Sequence, residues 1–252
     1  MSARGGNNNQ RLIVSHSVLT GLTPLIPIPI VDDLARVYFV RRLVRKLAAV
    51  HGCEVSYEEI KILADQPDSG CLRGCAMATL LLPFKLIFRK VFFFLEWKRA
   101  VDTASHVFYQ GYLVDWSLGK GWCVPAGRRS ILEVRQAIDA VLGRLDTSLI
   151  NRAIRGTFSQ SKSTLKNAAA MLARGLRRTP RTASPEQVGE AVEALEERED
   201  KVIEGIIERL QSAIGSIPVG HFRRLREDLA AQLGVRQDRG EEYSATQDLD
   251  GD

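Results

Sequence analysis

The chain has 252 residues, of which 45% are hydrophobic and 26% are charged, and its formal net charge is +5. This composition is typical of a folded globular protein and excludes a chain that is disordered throughout. Aromatic residues make up only 7% and there are 9 prolines, which argues against a Pro-rich or all-β protein.

The charge is divided unevenly along the sequence. Residues 1–183 carry 27 Lys and Arg against 13 Asp and Glu, whereas residues 184–252 carry 8 against 17. A basic body with an acidic end predicts an anionic partner for the body, or an end that folds back onto it. Because the N-terminal residues lack the apolar core of a signal peptide, we expect reduced cysteines and a cytoplasmic location.

The first apolar segment follows a polar, Asn-rich stretch, residues 1–11, which predicts a disordered lead. Residues 12–31 contain no Asp, Glu, Lys or Arg. A helix is predicted over 12–22, but the prolines at 24, 27 and 29 disfavour a straight membrane-spanning helix. This segment therefore suits either a buried arm of a protein core or a shallow insertion into a membrane surface.

The next predicted helix begins after Pro29 and ends near Gly52, a residue suited to a helix C-cap. One side of this helix is apolar, and the other side gathers basic residues toward the C-terminal end. These residues are candidates for binding anionic lipid head groups: Arg41, Arg42, Arg45 and Lys46.

A capping-box pattern at Ser56 and Glu59 predicts a short third helix, which ends near Gln66. The helical pattern resumes at Leu72 and continues to about Leu118. Its most apolar part, residues 77–97, contains Leu, Ile, Val or Phe at 12 of 21 positions.

Three basic residues lie within this second apolar segment. Because charges at the bilayer centre are costly, the segment is predicted to lie in the membrane interface and not to span the bilayer alone. The basic residues are further head-group candidates: Lys85, Arg89 and Lys90. The residues predicted to face the membrane or the core are Leu25, Ile26, Ile28, Leu81, Leu82, Phe84, Phe88, Phe92, Phe93 and Trp97.

The second half of the chain is also predicted to be helical. After a loop at 119–127, a long helical region is expected over 129–178, interrupted near Gly156, and residues 179–184 form a linker. An acidic helical hairpin is predicted over 185–234, with Ser184 as its N-cap, followed by a disordered acidic tail. A near-heptad stripe in the hairpin is a candidate for self-association: Val188, Val192, Leu195, Val202, Ile206 and Leu210.

No complete catalytic or metal-binding motif is present. The four histidines are far apart, and no P-loop or nucleophile motif occurs. The cysteines match no standard zinc spacing, so we expect neither a metal nor a cofactor. They are Cys53, Cys71, Cys75 and Cys123.

The stretch LIPIPIVDDLARVYFVRRLVRKLAAVHGCEVSYEEIKIL resembles the core motif of the EcsC-like and YcjF-type helical domains. The matching residues are Pro27, Pro29, Asp32, Leu34, Leu47, Gly52 and Ser56. The resemblance covers residues 12–66 and implies an α-helical, membrane-associated domain of poorly known activity, sometimes joined to a small GTPase. This chain departs from the family because only Gly21 represents the usual glycine-rich run, and because it has no GTPase motif.

Taken together, these patterns predict an all-α multi-helix bundle with two long apolar segments and a C-terminal acidic helical hairpin. We expect a non-enzymatic protein that binds anionic lipids at the cytoplasmic face of a membrane. A soluble helical adaptor or self-associating protein is the alternative. Nucleic-acid binding is less favoured because no recognisable motif accompanies the basic clusters, and an unrecognised enzyme would require a pocket with converging titratable groups.

Overall fold

The computed structural model describes residues 3–26, 31–65, 89–123, 130–176, 183–193 and 196–235. Within these ranges the protein contains ten α-helices, one 3₁₀ helix at Thr23–Leu25 and no strand, which confirms the all-α prediction. The α-helices are α1 (Ala3–Leu22), α2 (Val31–Val50), α3 (Tyr57–Ala64), α4 (Arg89–Gly119), α5 (Ile131–Leu142), α6 (Ser148–Gln160), α7 (Lys162–Leu176), α8 (Pro185–Glu193), α9 (Glu196–Gly215) and α10 (Val219–Gln232).

Helix α1 lies at the centre of the bundle. It packs mainly along α4 and also contacts α2, α9 and α7. Val14, Val18 and Leu22 of α1 expose none of their surface. The 31-residue α4 is about 46 Å long at 1.5 Å per residue, so it offers packing surface to α2, α5 and α6 as well. The described part of the first apolar segment is therefore protein core.

Helix α1 begins at Ala3, within the stretch for which the sequence predicts a disordered lead. The side chain of Asn9 is buried and donates a hydrogen bond to Oδ1 of Asp115, on α4, at 2.8 Å. The same carboxylate oxygen lies 2.8 Å from Nε2 of His51. This contact joins residues far apart in sequence, and for that reason local composition does not reveal it.

The predicted helix caps are present. Helix α2 ends at Val50, and Gly52 adopts φ +64°, a left-handed conformation that favours glycine. At the start of α3, the Ser56 N–H donates to Glu59 at 2.7 Å and the Glu59 N–H donates back to the Ser56 hydroxyl at 3.3 Å. These caps were predictable because all their atoms lie within a few residues.

Side chains from other helices complete the C-terminal end of α3. Gln110 donates to the carbonyl oxygens of Leu63 and Ala64 at 2.9 and 3.0 Å, and Arg135 donates to that of Leu63 at 2.6 Å. Carbonyls in the last turn of a helix have no partner within the helix, so these bonds satisfy them. The chain is thereby fixed to α4 and α5 immediately before residue 66.

The region 129–178 differs from the prediction of a helical stretch interrupted near Gly156. Its described part forms three helices, α5, α6 and α7, with breaks at 143–147 and at Ser161. At the first break, the Asp146 carboxylate accepts from the Ser148 N–H at 2.9 Å, which satisfies one of the amides that lack a partner in the first turn of α6. Gly156 lies within α6, where the buried Ile154 and Phe158 hold the helix against the bundle.

The three C-terminal helices, over which the sequence predicts an acidic hairpin, pack on the rest of the bundle. Helix α8 contacts α2 and α7, α9 contacts α1, α6 and α7, and α10 contacts α5 and α4. Their apolar faces pack on helices of the first 176 residues. The sequence pattern of each helix does not identify the helix on which it packs.

Candidate functional site

Arg41, which the sequence predicts as a head-group ligand, is held by carboxylates of its own chain. Its guanidinium donates to both oxygens of Asp65, at 3.0 and 2.6 Å, and to Glu186 at 3.0 Å. The hydrogen bond with Asp65 is the main reason why the pKa of Arg41 is raised. Arg41 therefore ties α2 to the end of α3 and to α8.

Glu186 also accepts a hydrogen bond from the Tyr57 hydroxyl. Partial burial alone would raise the pKa of Glu186, but the hydrogen bonds it accepts and the charge of Arg41 lower it to about 2. The carboxylate is consequently ionised over the whole physiological range and balances the charge of Arg41.

The other predicted basic residues of α2 differ in exposure. Arg42 and Lys46 are half-buried, and their charges act on the buried imidazole of His16. The Arg42 guanidinium also lies 5.9 Å from the ring centre of Tyr38. Of the four predicted residues on α2, Arg45 alone is exposed, at the edge of a shallow groove between α2 and α3.

The predicted residues of the second apolar segment are only partly described. Lys85, Ile28, Leu81, Leu82, Phe84 and Phe88 lie outside the described residues. The structure places Arg89, Lys90, Phe92 and Phe93 in α4 without describing their side chains. Of the remaining apolar predictions, Ile26 is buried, and Leu25 and Trp97 are partly buried against the core.

The predicted self-association stripe is partly covered within the chain. Val188, Ile206 and Leu210 expose at most 2% of their surface and belong to the core. The side chains of Val192, Leu195 and Val202 lie outside the described residues. The three described positions therefore do not offer a surface to a second copy.

A more pronounced basic surface lies on α6 and α7. No Asp or Glu occurs between Asp146 and Glu186 in the sequence. The apolar sides of both helices are buried against the bundle, and their Lys and Arg side chains are all exposed. We define the basic surface as Arg152, Arg155, Lys162, Lys166 and Arg174.

The N-terminal half of α4 borders this surface. The Trp97 ring packs edge-on against Phe158 of α6, with ring centres 6.1 Å apart, and the Lys162 ammonium lies 5.7 Å from the Trp97 ring centre. Leu95 is 48% exposed, and Lys98 and Arg99 are exposed. The partly buried indole thus lies beside a cation of α7, whereas Leu95 shares another side of α4 with Lys98 and Arg99, because residues three and four apart lie on one helix face.

The sequence predicts cationic sites on α2 and in the second apolar segment, because basic residues occur close together there, four within 41–46 and three within 85–90. The residues of the basic surface do not form such a short cluster, because they are spaced along two helices. Their distinguishing property is the absence of any acidic neighbour in the sequence, and a charge count restricted to 147–185 would have found it.

One cavity brings titratable groups together, between α5, α6 and α10. It has a volume of about 510 Å³, and its lining includes Asp146, His221 and Arg224. The His221 ring lies 2.9 Å from the Tyr109 hydroxyl, and burial lowers the pKa of His221 and raises that of Tyr109. The described lining contains no Ser, Thr or Cys to act as a nucleophile.

The described residues give no indication of a metal centre. Over that part of the chain, no three His, Cys, Asp or Glu side chains are grouped as metal ligands. Cys53 and Cys123 are free, and burial, with a smaller effect of Cys53, raises the pKa of the Cys123 thiol to about 12. Such a thiol is protonated and unreactive near neutral pH.

Among the described helices, none combines the length and the apolar composition needed to cross a bilayer. In comparisons with known proteins, no family model, curated protein or solved structure matches the chain. The resemblance of residues 12–66 to the EcsC-like and YcjF-type domains therefore stays a prediction.

Proposed function

We propose that this protein associates peripherally with anionic lipid surfaces at the cytoplasmic face of a membrane. The contact would be made by the basic surface on α6 and α7 and by the adjoining start of α4. The observation that carries this proposal is the set of five exposed basic side chains on two helices that contain no acidic residue. A basic side chain close to an anionic leaflet contributes about 1 kcal/mol to binding.

Apolar residues beside the basic surface support a lipid partner. Leu95 is exposed, and Trp97 lies next to Lys162. The sequence that leads directly into this part of α4, residues 77–94, is rich in Leu, Ile and Phe. Lipid interfaces accept cations and apolar side chains together, whereas nucleic-acid phosphates do not call for the apolar component. The resemblance to EcsC-like domains points the same way.

The two apolar segments have different roles in this proposal. Residues 12–26 lie in the bundle core, so they do not supply the membrane contact. Any apolar contribution to binding is therefore assigned to residues 77–97 alone, in contrast to the sequence-based expectation that both segments contribute.

Vesicle co-sedimentation of the full-length protein tests the proposal. We expect binding to vesicles of phosphatidylcholine and phosphatidylserine at about 0.05 M salt, and much weaker binding at about 0.5 M salt, where the Debye length is only about 4 Å. Vesicles of phosphatidylcholine alone should bind weakly at both salt concentrations.

Two matched variants localise the contact. The double substitution Arg152→Gln and Arg155→Gln should weaken vesicle binding about 30-fold, because two contributions of about 1 kcal/mol are lost. The control is the double substitution Arg45→Gln and Arg223→Gln. It removes the same charge from exposed residues of α2 and α10 and should change vesicle binding far less.

Three outcomes would reject the proposal. Equal losses in both variants would show that net charge, and not this surface, governs binding. Absence of vesicle binding in the wild type would remove the lipid function. Salt-dependent binding of single-stranded RNA without vesicle binding would reassign the basic surface to nucleic acid.

A further inference from the structure

Helix α10 ends at a fixed point. Gly234 adopts φ +65°, and the Val235 N–H donates to the Ala230 carbonyl at 2.9 Å, which closes the helix with a Schellman-type turn. Val235 is the last described residue, so the position from which residues 236–252 continue is set by the structure.

This point lies beside the N-terminal end of the basic surface. Ala231 and Gln232, in the last turn of α10, line the same cavity as Leu149, in the first turn of α6. Arg152 is exposed one turn beyond Leu149, and Arg155 follows three residues later. The chain therefore leaves α10 close to the helix that carries the first two residues of the basic surface.

The residues that follow carry six acidic side chains against two arginines, and they are long enough to cover the surface. Seventeen residues, 236–252, can extend about 55–60 Å, whereas α6 and α7 together span about 42 Å. From residue 240 onward the tail has five acidic residues and no basic one: Glu241, Glu242, Asp248, Asp250 and Asp252.

We propose that the acidic tail, residues 240–252, docks on the basic surface of its own chain and competes there with anionic lipid. Tethering gives the tail a millimolar effective concentration, so a dissociation constant of about 0.1 mM for the untethered tail would keep it docked in about nine molecules of ten. The regulatory consequence rests on the proposed lipid function, but the docking itself does not.

Carbodiimide cross-linking of the full-length protein tests the docking without any lipid, because it joins carboxylates to lysine amines only where they are in contact. We expect links from residues 241–252 to Lys162 or Lys166 at about 0.05 M salt, and loss of those links at about 0.5 M salt. Lys61 and Lys120 serve as internal controls, because the tail is not expected on them. Absence of links, or equal links to all four lysines, would overturn the inference.

Vesicle binding tests the competition. The variant Asp248→Asn, Asp250→Asn and Asp252→Asn should bind phosphatidylserine vesicles up to about tenfold more tightly if the tail is docked in about nine molecules of ten. The control variant Glu54→Gln, Glu58→Gln and Glu227→Gln raises the net charge equally at exposed positions of the bundle and should have a much smaller effect.

Failure of this inference and failure of the proposed function give different results. Equal vesicle binding by the wild type and the tail variant would reject the competition and leave the lipid function standing. If no form of the protein binds vesicles, the lipid function falls and the competition with it, while the cross-links still decide whether the tail docks.

Discussion

His16 is an imidazole enclosed in the bundle core. Its Nδ1 lies 2.9 Å from the Leu12 carbonyl oxygen, to which it donates, and its Nε2 is buried without a hydrogen-bond partner. Burial lowers the pKa of His16 to about 3, and the positive charges of Lys46 and Arg42 act in the same direction. The folded protein therefore keeps this side chain neutral.

This histidine should make the protein sensitive to acid. Its pKa is 6.5 when unfolded and about 3 when folded, so the unfolded state binds more protons as the pH falls through this interval, and stability falls with it. Near pH 4.5 the loss is about 2–3 kcal/mol. His16→Asn keeps a donor near the Leu12 carbonyl without titrating, and urea unfolding near pH 7 and pH 4.5 should show a smaller pH dependence for the variant. An unchanged acid loss would mean that other groups cause it.

The sequence predicts the roles of helix-capping residues, but it does not predict the environments of residues that contact other helices. Ser56 and Gly52 were identified as caps because their roles depend on backbone atoms within a few positions. The environment of His16 depends on side chains of another helix, Lys46 and Arg42. No local pattern contains that information, which also explains why Arg41 was expected to face a lipid and instead binds Asp65.

Helix α8 approaches α2 closely. A Cβ at Gly189 would lie 2.2 Å from an atom of the Tyr38 ring, and Val188 is fully buried beside it. The ion pair between Arg41 and Glu186 fixes the N-terminal end of the same helix. The short α8 is held by these contacts, because a nine-residue helix has little stability of its own.

Two Gly→Ala substitutions should therefore have opposite effects. Gly189→Ala forces a clash with Tyr38 and should destabilise the protein by about 1–3 kcal/mol. Gly156→Ala places its Cβ in open space on the exposed side of α6 and should stabilise the protein by about 0.5–1 kcal/mol. Denaturant unfolding of both variants measures the difference, and a neutral Gly189→Ala would argue against the close packing of α8 on α2.

The sequence predicts the existence of helices better than their partners. Amphipathic spacing predicted helix over the residues of α8 and α9, but it does not indicate that α9 packs on α1 and α6. Similarly, Gly156 was expected to interrupt a helix, since glycine lowers helix propensity by about 1 kcal/mol. Burial of Ile154 and Phe158 on the opposite side of α6 outweighs that cost.

At the scale of the whole molecule, the all-α class follows from periodicity that every helix carries in its own sequence. The sequence does not predict where the first apolar segment lies, because an uncharged stretch suits a protein core and a membrane interface equally well. Only the packing of α1 along α4 decides between them, and that contact joins residues about a hundred positions apart.

The chain is anchored on both sides of residues 66–88. Gln110 and Arg135 hold the end of α3, and α1 is enclosed by helices from the second part of the chain, α4, α7 and α9. The contacts that join the two parts are non-covalent and lie within the described residues, so we expect them to hold the parts together when the chain is cut between 66 and 88.

We therefore expect the protein to stay folded when the chain is cut between its two parts. If a specific protease site is inserted after Gly70 and cut, the two fragments should elute together in gel filtration and keep the helical circular dichroism of the intact chain. Fragments that separate, or that lose their helicity, would show that the connection is required. If the fragments stay together, residues 1–70 and 71–252 should also assemble into one folded protein when they are expressed from separate genes.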